Sequence, residues 1–370
     1  MSESALKMKM PSFVDIAVTG RCNLKCKHCY YADEMVARSD LPTETWLAFF
    51  EELRDAGVMT IGLTGGELFT RRDVWELIDS VVRNKMRFTI NTNATLITDQ
   101  IAERLSQHRR RLDSIQVSVD GSCPETHDAL RGKGAFERTM RGIAALKKYE
   151  LPWTVRVTVS RLNMADLEAT MSMLYNDLGL THFGVNEAYP MGAGHCNHTT
   201  LEMTREERRE VFRVMQKFDR EHPGVARGAM AGPLIIAELI ERVDRARATG
   251  EFKVPYSTGC FTGCNVMWRD LAVLHDGSYV PCNQLPHMVL GKIGQDSLRD
   301  VWQNAPGLKE LRERHAVSLE TDPRCAGCAY VTYCTGGCPG VAYSLTGKVN
   351  SANPRDCYRA YIGEDPIYAY

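Results

Sequence analysis

Residues 14–30 read Val14-Asp-Ile-Ala-Val18-Thr-Gly-Arg-Cys22-Asn-Leu-Lys-Cys26-Lys-His-Cys29-Tyr30, a short β-branched strand running straight into a loop of three thiols. Three and then two residues separate the cysteines, so one loop can wrap one metal site. Three thiolates on a [4Fe–4S] cube leave one iron uncovered, free to chelate a small molecule such as the amino and carboxyl groups of methionine. A zinc site completed by His28 or by a distant residue, Cys₃His being a common structural set, is the competing reading of this loop alone.

Working outward, residues from Phe13 to Asn186 alternate short β-branched segments with longer amphipathic ones. Strands are expected at Val14–Val18, Thr60–Leu63, Phe88–Asn91, Ser114–Val119, Thr154–Val159 and His182–Asn186. Helices are expected near Glu44–Ala56, Arg72–Asn84, Asp99–Gln107, Ala135–Tyr149 and Ala165–Asp177, with Gly57 capping the first. Strands joined by helical crossovers are parallel, and chemistry then collects at their C-terminal ends. Beyond Tyr189 the rhythm breaks: Met191-Gly-Ala-Gly reads as a loop, and Thr204–Phe218 and Pro233–Ala248 as two bridging helices. The expected organisation is a lead-in over 1–12, an α/β barrel over 13–190, a helical bridge over 191–254 and a small Cys-rich α+β domain over 255–370, with a boundary near Val254.

Two further motifs carry chemistry. Leu63-Thr64-Gly65-Gly66-Glu67 closes the second strand, its glycines letting backbone approach a ligand and its carboxylate following at once. The C-terminal third carries Cys264-x₁₂-Gly277-x₄-Cys282, then Cys325-x₂-Cys328-x₅-Cys334-x₃-Cys338, and finally Cys357. These spacings do not pair into a zinc ribbon. Clustered thiols among the 13 cysteines point to metal binding rather than disulfides in a reducing compartment.

Lys and Arg number 45 against 46 Asp and Glu, a net charge of −1 that excludes the basic field of a general nucleic-acid binder. Met1–Pro11 lacks the apolar stretch of a signal peptide, and no uncharged apolar segment reaches the length of a membrane span, so a soluble cytoplasmic protein is expected.

The three-cysteine loop after strand one followed by Gly-Gly-Glu after strand two resembles the radical S-adenosylmethionine (SAM) superfamily, whose partial (β/α)₆ TIM-like barrel accords with the six strands. The resemblance makes Cys22, Cys26 and Cys29 the cluster ligands and Tyr30 the aromatic near the adenine, with Gly65, Gly66 and Glu67 on the SAM amino group. It also implies ribose and carboxylate contacts at Asn93, Ser118, Asp120 and Arg131, although short polar residues at strand ends also bond their own loops. Leu68 replaces a proline frequent in the family, which loosens the turn without removing a ligand. The C-terminal pattern resembles the SPASM extension, which holds two auxiliary [4Fe–4S] clusters. By that resemblance Cys264, Cys282 and Cys338 hold the first and Cys325, Cys328, Cys334 and Cys357 the second, while Cys260 is either a fourth ligand of the first or a buried thiol. Cys123 and Cys196 stay unassigned, as core thiols or hydrogen-atom donors.

The resemblance implies three [4Fe–4S] clusters, an external one-electron reductant such as ferredoxin or flavodoxin, and a 5′-deoxyadenosyl radical that abstracts hydrogen from the substrate. Auxiliary clusters suit a net oxidation, and the leading expectation is a maturase that crosslinks or oxidises side chains of a ribosomally made peptide. The barrel pattern starts within about a dozen residues of Met1, so a leader is expected to come on a separate leader-binding protein or to lie along the barrel mouth and Met191–Thr200. The alternatives are a formylglycine-generating sulfatase maturase, disfavoured by Asn283 where an acid is common, and a haem or quinone cofactor biosynthesis enzyme. A non-catalytic iron–sulfur or zinc protein is the reading from a different class.

Overall fold

The computed structural model describes residues 9–228, 233–250, 259–264 and 266–363. Six strands follow one another in sheet order and pair in parallel: β1 (Phe13–Ala17), β2 (Thr60–Thr64), β3 (Arg87–Thr92), β4 (Leu112–Ser118), β5 (Trp153–Val159) and β6 (Phe183–Glu187). Each lies within two residues of its expected place. The order is β10-β9-β8-β1-β2-β3-β4-β5-β6-β7, so the barrel is open rather than closed.

Alternation along the strands sorts the two faces. Ile61 and Leu63, Phe88 and Ile90, Ile115 and Val117, Val155 and Val157 are buried under the crossover helices. The helix Thr43–Asp55 seals its part of that layer with Trp46, Phe49, Phe50 and Leu53, at the three- and four-residue spacing of one helical face. Each such side chain contributes about 1.5–3 kcal/mol when fully buried. Gly57, just past this helix, takes φ +81° as a helix-ending glycine does. The opposite, inner face carries Asn91, Gln116, Ser118, Arg156, Thr158 and Asn186, which line a cavity.

Four features depart from the expected organisation. The stretch 165–177 is not one helix: a 3₁₀ turn at Met164–Asp166 leads into Leu167–Ser172 and then a π-helical turn at Met173–Asp177. Asp166 is drawn off the helix start by Ser122 and Thr126, whose hydroxyls donate to it at 2.6 Å each. Short helices also form at Ala32–Ala37 and, behind Pro124 at its first position, Pro124–Arg131. Within the expected loop at 191–194 a four-residue helix, Ala193–Cys196, begins.

The largest departure concerns the C-terminal region. β8 (Asp270–Val273) pairs in parallel with β1, and the antiparallel β9 (Ser278–Val280) and β10 (Gly291–Lys292) extend that edge, while β7 (Ala226–Gly228) adds to the other. The Cys-rich region is thus joined to the barrel through one continuous sheet. The expected boundary near Val254 lies outside the described residues, as do the side chains of the apolar run Pro233–Ile240.

Candidate functional site

The loop bearing Cys22, Cys26 and Cys29 is held from several sides. Asp40 accepts from the Thr19 hydroxyl and the Gly20 amide, both at 2.7 Å. The Gly66 and Glu67 amides donate to the Thr19 and Arg21 carbonyls at 2.8 and 2.7 Å. A Cβ on Gly65, whose φ is +142°, would lie 2.3 Å from the Thr19 oxygen, and one on Gly66 2.3 Å from the Arg21 oxygen. The glycine pair therefore admits the cysteine loop itself, the backbone these residues approach most closely. On the far side Gly192 abuts the Cys29 and Tyr30 carbonyls, and the Ala193 amide donates to Cys29 at 2.9 Å.

The three cysteines line a cavity of about 310 Å³ at the C-terminal ends of the strands. Tyr30, Gly65, Gly66, Asn93, Ser118 and Arg131 line the same cavity, so the structure brings most of the sequence-derived SAM contacts together. Two of them stand behind it. The buried Glu67 carboxylate accepts from the Thr92 hydroxyl at 2.7 Å and the Asn93 amide at 2.8 Å, and burial raises its pKa to about 6. The Asp120 carboxylate is fully buried, accepting from Arg131 Nε at 2.5 Å and the Thr158 amide at 2.7 Å. Burial pushes Asp120 up, but Arg131, His28 and His127 outweigh it and hold the carboxyl below its ordinary value. Both acids position their neighbours: Glu67 fixes the end of β3 and Asp120 fixes Arg131.

Arg131 in turn lies 3.9 Å from the Cys26 sulfur. His28 directs Nε2 toward Asp120 and Arg131, each at 3.5 Å, and burial drops its pKa to about 4. Its other ring nitrogen, Nδ1, is buried without a hydrogen-bond partner, and the residue lines the cavity beside the three cysteines. Burial pushes the Cys22 and Cys29 thiols up to about 11, so thiolate there requires a compensating cation.

The C-terminal cysteines form two groups. Cys264, Cys282 and Cys338 influence one another electrostatically, and Gly263 packs against the Gly337 backbone to bring their loops together. Arg314, fully buried, faces Cys264 and Cys338 with two guanidinium nitrogens that have no partner. A buried cation with orphaned donors beside three thiols fits an anionic thiolate-ligated iron–sulfur cluster. Cys325, Cys328, Cys334 and Cys357 line a separate apolar hollow with Leu319 and Val331. Cys260 pairs its backbone with Ser318 in an isolated bridge on the approach to Cys264. Among the described residues, no three His, Cys, Asp or Glu side chains close tightly enough to grip a single ion.

Sequence reasoning missed the residues that join these parts. Tyr189 lines the cavity, packs edge-on to Tyr30 at 6.3 Å between centroids, and feels the charges of Cys338 and Cys282. Gln284 lines it too, with its Oε1 3.9 Å from the Cys338 sulfur. The cavity-lining strand residues Gln116, Arg156 and Asn186 were missed as well, and for these the period-two alternation of polar residues on the strand faces was an available signal. Cys123 instead sits at the start of the helix Pro124–Arg131, 3.4 Å from the Thr126 hydroxyl, and Cys196 is exposed. Neither is among the residues lining the cavity.

Comparison with known proteins agrees with this geometry. The radical SAM superfamily model matches residues 16–174, and the SPASM model, an iron–sulfur cluster-binding domain, matches residues 264–329. An AdoMet-dependent heme synthase of Methanosarcina barkeri is 30% identical over 355 residues, spanning 94% of this chain and 97% of that protein. The antilisterial bacteriocin subtilosin biosynthesis protein AlbA of Bacillus subtilis is 27% identical over 332 residues, 89% of this chain and 67% of that one. Streptococcus suis SuiB, solved with its precursor peptide SuiA, shares the fold with a TM-score of 0.73 at 17% identity, covering 96% of this chain and 78% of that one. A three-cysteine cavity at the strand ends, two further thiol groups behind it and near-full-length similarity lead to one conclusion: the chain belongs to the radical SAM superfamily and carries a SPASM iron–sulfur domain.

Proposed function

We propose that this chain is a radical SAM/SPASM oxidase acting on a peptide, forming a crosslink or oxidising a side chain. When bound, SAM and the clusters would supply a hydrogen-abstracting radical and one-electron acceptance. Cys22, Cys26 and Cys29 would hold the SAM-binding cluster, with Gly65, Gly66, Asn93, Ser118 and Arg131 around SAM. Cys264, Cys282 and Cys338 would hold the first auxiliary cluster, with Cys260 as its candidate fourth ligand, and Cys325, Cys328, Cys334 and Cys357 the second.

The observation that carries the oxidative reading is the junction at Tyr189 and Gln284, where the cavity wall is also the wall of the Cys282/Cys338 group. Substrate space and an electron-accepting site are then neighbours. The cavity's character supports a peptide. Among its described lining residues the arginines are Arg131, whose Nε donates to Asp120, and Arg156, while the rest are mostly neutral polar groups and aromatics. A tetrapyrrole bearing several carboxylates calls for more cations than that.

The second reading, biosynthesis of a small cofactor such as haem, is favoured by the 30% identity with a heme synthase over nearly the whole length of both chains. The sulfatase-maturase alternative gains nothing here, since Asn283 donates its amide to Asp15 at 2.6 Å and offers no acid of its own. The deciding experiment incubates anaerobically reconstituted enzyme, SAM and dithionite with a precursor peptide encoded beside its gene, and separately with an iron tetrapyrrole carboxylate. The peptide is expected to lose two hydrogen atoms per modification. Conversion of the tetrapyrrole with the peptide untouched would transfer the assignment to cofactor synthesis.

A further inference from the structure

Arg156 on β5 is a cavity-lining cation with no carboxylate partner among the described residues. Its Nε and Nη2 donate to Gln116 Oε1 at 3.1 and 2.9 Å, and its Nη1 to Asn186 Oδ1 at 3.0 Å. Both acceptors are neutral carboxamides, one on each neighbouring strand. Of the five N–H groups of a guanidinium, three are so used and two remain for a ligand. The ionisable side chains it feels are the phenols of Tyr189 and Tyr30, and burial pulls its pKa down.

The fold makes room for this arrangement. Gly184 lies in register with Arg156 on β6, and a Cβ there would sit 2.9 Å from Arg156 Nε. A half-buried guanidinium held flat by two carboxamides, with donors to spare and no counter-charge, is built to receive a planar anion. SAM carries a carboxylate, but the cation beside the cysteine loop is Arg131, 3.9 Å from Cys26 and on a helix whose Leu130 carbonyl accepts from Lys27 at 2.8 Å. Arg156 is on β5, in the same cavity as Tyr30 and Tyr189, and Tyr189 is the residue that borders the Cys282/Cys338 group.

We propose that Arg156, held by Gln116 and Asn186 and cleared by Gly184, is the substrate-recognition residue of the cavity and receives a carboxylate of the peptide. The chemistry sought is therefore an Asp or Glu side chain, or a C-terminus, next to the carbon that loses hydrogen. The class of molecule bearing the carboxylate rests on the peptide reading above, whereas the carboxylate itself does not.

The test follows deuterium. Anaerobically reconstituted full-length enzyme with SAM and dithionite is offered perdeuterated N-acetylglutamate N-methylamide, its glutamine counterpart, or perdeuterated succinate, and deuterium in 5′-deoxyadenosine is read by mass spectrometry. The glutamate fragment is expected to label about tenfold to a hundredfold more than the glutamine fragment, a preference lost in Arg156→Gln. SAM affinity, measured by equilibrium binding, is expected to stay the same in that variant. Labelling from succinate but from neither fragment keeps the carboxylate site and overturns the peptide reading. Equal labelling from the two fragments, no labelling from any probe, or a preference retained in Arg156→Gln overturns the proposal. A tenfold loss of SAM affinity in Arg156→Gln overturns it too, since the anion is then SAM's own. The wild-type comparison of fragments needs no variant and so stands even if Arg156→Gln misfolds.

Discussion

Gly66 leaves no space for a methyl group between β2 and the cysteine loop, its would-be Cβ falling 3.0 Å from that of Cys22 as well as on the Arg21 oxygen. Gly66→Ala is expected to push the loop outward, costing about 1–3 kcal/mol as overpacking does and lowering iron loading at the barrel site. Thermal unfolding and iron per chain check this together; an unchanged iron content would show that the loop does not need the close approach. Asp15 makes a different prediction. Burial and the neighbouring Asp270 raise its pKa to about 7, against the lowering effect of the Asn283 amide, and its Oδ1 has no partner. The native state then holds a proton that the unfolded chain releases near pH 4, so this group's contribution to stability falls as pH rises from about 4 to 7. Asp15→Asn is expected to raise the melting temperature at pH 8 and to leave it nearly unchanged at pH 4, which melting curves at both values would show. For Arg314, replacement by Gln removes a cation facing Cys264 and Cys338 and is expected to make the cluster held there harder to reduce, read as a more negative midpoint in an EPR-monitored titration.

At the scale of elements, the pairing of β8 with β1 ties the C-terminal region to the first barrel strand. The cysteine loop is braced from the same side, the Tyr31 hydroxyl lying 2.8 Å from Nδ1 of His275, just beyond β8. A chain ending at residue 250 would leave β1 with an open, apolar edge beside Tyr31 and Ala17. It is expected to bind a hydrophobic dye and aggregate, and a soluble, dye-silent fragment would show that the barrel folds without β8. This dependence also explains what the sequence disclosed and what it withheld. The six barrel strands were legible because Ile, Val and Phe recur at period two between long amphipathic segments. β8 was not, because Asp-Leu-Ala-Val is short and its pairing partner lies more than 250 residues earlier. The thiols, glycines and Glu67 were legible as motifs, whereas the parts of Glu67 and Asp120 as buried props, and of Tyr189 and Gln284 as shared wall, depend on contacts that spacing does not encode.

For the molecule as a whole, the proposed function requires a radical-generating site on the open barrel and two auxiliary sites in the Cys-rich region that one continuous sheet joins to it. Iron, sulfide and zinc counted after anaerobic reconstitution, alongside SAM cleavage, test that arrangement most directly in the wild type and in a Cys22/Cys26/Cys29→Ala variant. Three four-iron clusters predict about 12 irons per chain falling to about 8 in the variant, with SAM cleavage abolished. Zinc in place of iron, or SAM cleavage that survives loss of the three thiols, would contradict it.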